Sequence, residues 1–388
     1  MYLSKVKVNA DSIAYLRTSI YFVLHLSSIQ LTNFRNYTEQ QVLFCEGLNI
    51  LSGRNGAGKT NLLEAINYLC LTKGYFHSGD SGAINFKEEF FRLQGKFIAD
   101  ERTENISLAF QSGTPKLLKH DEIVYEKLAD HIGKFPLVVI APDDIVLIIE
   151  GSEERRKWLD NTISQVNRLY LDDLMQYNRV LVQRNALLKQ WYAGQTRDDD
   201  LMNVLDEQLV KLGKQIYEER KTSLQILIPL LQKHYAFISD AHETALMNYE
   251  SLLNENDFSK ILLANREKDM ILQRTTAGVH RDDLDFLLNE FSIKKFGSQG
   301  QKKSFLIALK LAQFDFIAEK KNETPLLLLD DIFDKLDQHR SEKLLADAAS
   351  KNRGQVFITC TNWNGIIDSE KSSKHFLIES NNVVEAVY

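Results

Sequence analysis

The chain has 388 residues, 44% hydrophobic and 26% charged, with a formal net charge of −6. That length supports two or three domains, and the composition excludes a disordered, collagenous or disulfide-scaffold chain. A uniformly basic nucleic-acid binder is excluded as well: any DNA contact needs a local basic surface on an acidic body, or a surface assembled by dimerisation. Cys45, Cys70 and Cys360 stand apart without a CxxC pair, which argues against a zinc site and fits a reducing compartment. The most apolar early stretch, Ile20 to Leu31, is about a dozen residues, short of the roughly 20 a membrane span needs. A cytoplasmic chain without a membrane partner is expected.

Residues 1–27 lack clean periodicity and read as an N-terminal extension. A strand pattern begins near Ser28 with Ile29, Leu31 and Phe34; Val42 to Phe44 gives a second strand, and Leu48 to Leu51 a third that runs into glycines. Beyond them Leu62, Leu63, Ile66, Leu69 and Cys70 form one apolar face at a 3.6 period. Short strands follow at Phe90 to Leu93 and Ile106 to Phe110. The apolar run Leu137 to Ile140 reads as a buried parallel strand. Residues 28–150 are thus the first part of an α/β domain.

The texture changes after Gly151. Ser152 offers an N-cap hydroxyl, and Glu153 and Glu154 suit the positive end of a helix. Helical spacing recurs to about Ile238, so residues 151–274 read as an inserted, mostly helical lobe. It holds 17 Lys+Arg against 19 Asp+Glu and is no basic module on average. Strand and helix alternate again over 275–388: a helix from about Gln301 to Lys320, then buried strands at Leu326 to Leu329 and Val356 to Thr359.

Gly53-Arg54-Asn55-Gly56-Ala57-Gly58-Lys59-Thr60 matches GxxxxGK[ST] between a predicted strand and a predicted helix, the context this phosphate loop requires. Glycines let backbone N–H groups curl around a β-phosphate, and the helix N-terminus adds partial positive charge. Lys59 is expected to reach the β/γ-phosphates of ATP, and the Thr60 hydroxyl to ligate Mg²⁺. The four leucines before Asp330 and Asp331 form a strand that delivers a second metal carboxylate, Asp330. Asp331 is the candidate catalytic residue, a general base for the attacking water. Gly297-Ser298-Gln299-Gly300-Gln301 opens the helix that precedes the leucine strand, and its small residues make a second anion site, with Ser298, Gly300 and Gln301 as its candidates.

The order of phosphate loop, helical insertion, SxGQ helix start, leucine strand with two acids and Lys335-Leu336-Asp337 resembles the ABC-type ATPase heads of the SMC class. The closer resemblance is to the RecF family of DNA-repair proteins. Leu31-Thr32-Asn33-Phe34-Arg35-Asn36-Tyr37, Ala141-Pro142-Asp143-Asp144, Gly151 to Asp160, Gln183 to Leu188 and Gly278-Val279-His280-Arg281-Asp282-Asp283-Leu284 carry it, from about residue 28 to the C-terminus. Only Ser298, Gly300 and Gln301 survive of the transporter signature LSGGQ, and Thr359-Cys360-Thr361 stand where transporters carry a switch histidine. Asp331 replaces glutamate. The shorter carboxylate and the missing histidine predict slow hydrolysis.

The resemblance implies an α/β fold: an ABC/SMC-type P-loop ATPase head with a helical second lobe. No segment keeps apolar heptads for a long coiled coil. It further implies an ATP-dependent homodimer, closed head to tail with Ser298 of one copy facing the γ-phosphate on the other. Also implied are weak DNA-dependent ATPase activity and binding to single-stranded and duplex DNA at gaps or junctions. Recombination mediator proteins and RecA are the implied partners, with a role in RecA loading and the SOS response. A transporter nucleotide-binding subunit, a P-loop kinase and a module that holds ATP without turnover are the competing classes. Several residues carry two readings. Arg155-Arg156-Lys157 could touch DNA or form a solvated helix face. His280 to Asp283 could sit near DNA or make a salt-bridged turn. Arg35 and Asn36 could reach nucleotide, and Asp337 could sense a partner copy.

Overall fold

Apolar runs and amphipathic periods alternate along the chain as β1 (Phe22–Phe34), β2 (Tyr37–Leu43), β3 (Leu48–Ser52), α1 (Lys59–Leu71), β4 (Phe90–Ala99), β5 (Arg102–Gln111), β6 (Leu117–His120), β7 (Ile123–Val124) and β8 (Leu137–Ile140). Next come α2 (Val146–Ile149), α3 (Ser152–Ser164), α4 (Arg168–Tyr192), α5 (Asp199–Ser239), β9 (Ala245–Glu250), α6 (Phe258–Leu272), β10 (Asp283–Leu288), β11 (Phe291–Ser292), α7 (Ile293–Phe296) and α8 (Gln299–Lys321). The chain ends with β12 (Glu323–Thr324), β13 (Leu326–Leu329), α9 (Gln338–Ala349), β14 (Val356–Cys360), β15 (Ser373–Glu379) and β16 (Asn382–Ala386). The computed structural model describes residues 22–76, 79–99, 102–239, 243–333, 336–363, 371–379 and 381–386. Residues 1–21 of the expected extension, and Lys335, lie outside the described residues.

Residues 22–27 are not extension: they are the first half of β1. Leu24 and Leu26 are buried, as are Ile29 and Leu31. A bulge between Leu26 and Ser28 shifts the register against β4 and flips the parity of the inward positions. That break in alternation is why the pattern reads as starting at Ser28.

The described chain forms two compact units, one of residues up to Asp144 with Gln313 onward, the other Ile145–Ala312. The divisions therefore differ from those expected after residues 150 and 274. Residues 275–312, signature included, cluster with the helical unit because β10 pairs antiparallel with β9 along six residues. This pairing is non-local and leaves no mark in local periodicity.

In the first unit, β12-β1-β4-β5-β6-β7 form one sheet, with β2 also paired to β1. A second sheet has the order β16-β15-β3-β14-β13-β8. Its parallel strands β3, β13, β14 and β8 are buried throughout, as expected for strands covered on both faces. Helix α1 is buried from Leu62 to Cys70, and its side chains join residues of both sheets in one core.

His131 is fully buried in this unit. Its Nε2–H donates to the Leu69 carbonyl at 2.7 Å, and Nδ1 lies 3.2 Å from the Tyr125 hydroxyl. Burial holds its pKa down from 6.5 to about 4. The folded value lies below the unfolded one, so the stability this group contributes is complete above the unfolded value and is lost as pH falls through the folded one. The loss is on the order of 3 kcal/mol. Urea titrations at about pH 7 and about pH 4 are expected to show a smaller acid loss for His131→Gln than for the wild type; equal losses would contradict this.

The second unit is a helical body carrying the sheet β11-β10-β9. Two buried arginines brace it. Arg220 meets Asp160 at 2.9 Å and Asp282 at 3.1 Å and donates to the Val279 carbonyl. Arg184 meets Asp206 at 2.6 Å and Asp269 at 2.7 Å, and also donates to Thr275 Oγ1. Arg155 is bidentate to Asp283, and Arg156 donates to the Asp282 carbonyl. The His280 to Asp283 segment is thus a salt-bridged turn, and of the three cations at 155–157 only Lys157 lies on a solvated face, paired with Glu153 and Glu154. Trp158 and Trp191 are buried. Among the described residues no helix is long and apolar enough to cross a membrane.

Candidate functional site

The parallel strand β3 drives the chain into Gly53–Gly58, and α1 starts at Lys59 without a side-chain cap, leaving first-turn N–H groups to face an anion. Gly58 has φ 116°, and a Cβ there would lie 2.6 Å from Asn36 Nδ2 and 2.8 Å from Tyr37 Oη. Only glycine fits that space and that dihedral. Tyr37 Oη donates to the Gly58 carbonyl at 3.0 Å, and Asn36 Nδ2 to the Ala57 carbonyl at 3.2 Å. The turn between β1 and β2 therefore presses on the back of the phosphate loop.

Lys59 is only 4% exposed. Its Nζ donates to the Gly53 carbonyl at 2.9 Å and lies 3.8 Å from Asp331 Oδ2. Thr60 Oγ1 donates to the Asp330 carboxylate, at 3.0 Å from Oδ1. The acids reach this point because β13 lies two strands from β3, with β14 between them. Thr359 on β14 fills that gap: its Oγ1 is 2.9 Å from Asp330 Oδ1 and 3.1 Å from Asp331 Oδ1, and it accepts from the Asp331 N–H at 2.8 Å. A single hydroxyl proton serves one carboxylate at a time. Burial pushes the Asp330 carboxyl up to about 6; the Asp331 charge adds to this, while donation from Thr359 and Thr60 and the Lys59 charge oppose it. A cation placed beside Asp330 would favour its charged form.

A hydroxyl and a carboxylate side by side are a hard-oxygen donor set. It suits a magnesium ion that keeps waters and takes phosphate oxygens for its remaining positions. Among the described residues no group of three or more His, Cys, Asp or Glu could hold a metal ion. A cavity of about 1060 Å³ opens beside the loop, lined in part by Arg35, Asn36, Asn61, Phe86, Glu88 and Asn381. Arg35 donates to the Gly82 carbonyl at 2.6 Å and lies 3.5 Å from Glu64.

The structure thus brings Gly53, Arg54, Asn55, Gly56, Ala57, Gly58, Lys59, Thr60, Asp330 and Asp331 together in the first unit. Ser298, Gly300 and Gln301 belong to the second. There Ser298 Oγ accepts from the Gln301 N–H at 3.2 Å, and Gln301 Oε1 from the Ser298 N–H at 2.6 Å. This reciprocal capping box starts α8 and leaves the exposed Ser298 hydroxyl its proton. Asp337 caps α9, accepting from the Arg340 N–H at 3.0 Å. Two contributors carry no direct signal in the sequence: Thr359 stands where transporters have a switch histidine, and Tyr37 lies inside the Leu31 to Tyr37 motif.

A family model described as an AAA domain matches residues 28–379. The DNA replication and repair protein RecF of Flavobacterium johnsoniae is 45% identical over 338 residues, covering 87% of this chain and 94% of the relative. RecF of Phocaeicola vulgatus is 40% identical over 366 residues, covering 93% and 98%. A solved structure of the recombination mediator protein RecF with ATP superposes with a TM-score of 0.85 at 31% identity, covering 94% of this chain and all of that one. An Smc head domain from Pyrococcus furiosus shares the fold, with a TM-score of 0.56 at 15% identity over 94% of this chain and 96% of that one. The chain belongs to the RecF family of DNA replication and repair proteins.

Proposed function

We propose that this chain is an ATP-dependent DNA-binding protein of replication and recombinational repair, a switch in which ATP closes two heads on gapped or junction DNA. The observation that carries the reading is the meeting of Thr60 with Asp330, with Lys59 between the loop carbonyls and Asp331. The first-turn N–H groups of α1 and Lys59 would take the β/γ-phosphates of ATP. Thr60 and Asp330 would hold Mg²⁺, which supplies charge neutralisation at the phosphates. Asp331 would orient and deprotonate the attacking water. Its carboxylate is engaged by Thr359 and Lys59, which favours weak turnover over rapid cycling; dependence of that turnover on DNA belongs to the same proposal. Ser298 of a second copy would donate to the γ-phosphate, so that ATP joins two heads. Hydrolysis then reopens them. Assistance to RecA loading alongside recombination mediators, the SOS response and a cytoplasmic location complete the proposal. Thr359 at the switch position disfavours a transporter subunit.

Calorimetric titration with ATP–Mg²⁺ tests the nucleotide site. Lys59→Ala removes the ammonium and is expected to weaken binding at least about a hundredfold, the size of a lost charge-assisted contact to phosphate. Unchanged affinity would remove the assignment of Gly53–Thr60.

A further inference from the structure

The segment that leads into the signature carries an exposed aromatic pair. Phe291 and Phe296 are 66% and 73% exposed, their ring centroids 6.3 Å apart at 81°. Lys294 and Lys295, exposed between them, give the knob a positive face, and Lys294 Nζ donates to the Glu150 carbonyl at 3.0 Å. Ser298 follows Phe296 by two residues. A paired, solvent-facing set of phenylalanines beside a candidate ligand site marks a surface meant to be covered.

The first unit carries a matching surface. At the cavity beside the phosphate loop, Phe86 is fully exposed, and the exposed Glu88 and Glu89 line the same wall. Lys87, between them in sequence, does not line it. Glu88 accepts from Asn33 Nδ2 at 3.2 Å; Phe90 beyond it is 43% exposed. One surface pairs phenylalanine with lysines, the other phenylalanine with glutamates.

We propose that the Phe291–Phe296 knob of one copy docks on the Phe86–Glu88–Glu89 rim of a second copy, setting Lys294 and Lys295 against Glu88 and Glu89. This rests on the head-to-tail reading given above: Ser298 facing a partner's nucleotide would bring the residues just before it to the partner's phosphate loop, beside which this cavity opens through Asn36 and Asn61. A second copy suits the knob better than a nucleic acid strand does. Aromatic residues with lysines could stack bases, but the rim's glutamates would repel phosphates, whereas they complement the knob's lysines.

The test exchanges the charges. Lys294→Glu with Lys295→Glu sets acids against acids in its own dimer; Glu88→Lys with Glu89→Lys sets lysines against lysines. Sedimentation with ATP–Mg²⁺ is expected to show each double variant dimerising about a hundredfold more weakly than the wild type. A mixture of the two restores complementary charges at both contacts of the heterodimer and is expected to dimerise within about threefold of the wild type. Thermal melts check that each variant is folded. Variants that dimerise alone like the wild type would overturn the pairing, and so would a mixture that stays monomeric. A Lys294→Glu/Lys295→Glu protein that still dimerises but no longer binds a labelled single strand would assign the knob to nucleic acid instead. A wild type that stays monomeric with ATP–Mg²⁺ would defeat the head-to-tail reading itself, a failure distinct from that of the docking pair.

Discussion

Asp331→Asn is expected to lower ATP turnover by about a hundredfold to ten-thousandfold, the range for loss of a general base, while ATP binding persists and an ATP-bound dimer accumulates. The side chain is 29% exposed, within reach of Lys59 and Thr359, and its backbone sits at φ 41°. Asparagine tolerates that left-handed conformation and keeps the side-chain shape, so the change removes charge and basicity with little else. Thr359 can still bond an amide at that position, so the loop geometry should hold. Phosphate release under single-turnover conditions, paired with sedimentation in ATP–Mg²⁺, reads both effects. Undiminished turnover would remove Asp331 from the chemistry, and a variant that binds ATP yet stays monomeric would contradict the composite site.

The second large effect is structural. Arg184→Met is expected to destabilise the helical unit by about 3–5 kcal/mol, the cost of breaking a buried ion pair from one side. Arg184 is wholly buried against Asp269, itself wholly buried, and against Asp206 at 12% exposure. Asp269 also accepts from Thr276, and Asn185 accepts from Thr275, so the pair pins the loop after α6 to α4. Methionine leaves the Asp269 charge uncompensated in the core. Adding Asp269→Asn should recover part of the loss by neutralising it. Urea unfolding followed by tryptophan fluorescence in a Trp363→Phe background, which leaves Trp158 and Trp191 of this unit as the emitters, measures this. A loss below about 1 kcal/mol for the single change, as for an exposed pair, would mean that water reaches the cluster.

The legible parts were those whose physics is local. The run Leu48 to Leu51 ending in glycines, the face Leu62 to Cys70 and the leucine strand ending in Asp330 each carry their own signal, and together they placed the phosphate loop opposite its acids. What escaped depends on distant residues. The start of β1 was hidden by a one-residue bulge that reversed its alternation. The grouping of the signature with the helical unit follows from β9–β10 pairing across more than thirty residues. Arg155 and the His280 to Asp283 turn could be read two ways because their partners, Asp283 for the one and Arg220 for the other, lie 128 and about 60 residues away. Thr359 was visible only as a missing histidine, although a hydroxyl there can bridge two carboxylates that would otherwise repel.

Fluorescence anisotropy of a labelled gapped duplex, titrated at low salt where phosphate contacts are strongest, tests the ATP-gated DNA switch most directly. ATP–Mg²⁺ is expected to tighten binding by the wild type and to leave Lys59→Ala unchanged. Equal affinity with and without nucleotide, or tightening that survives Lys59→Ala, would contradict a switch built on Gly53–Thr60 and Asp330.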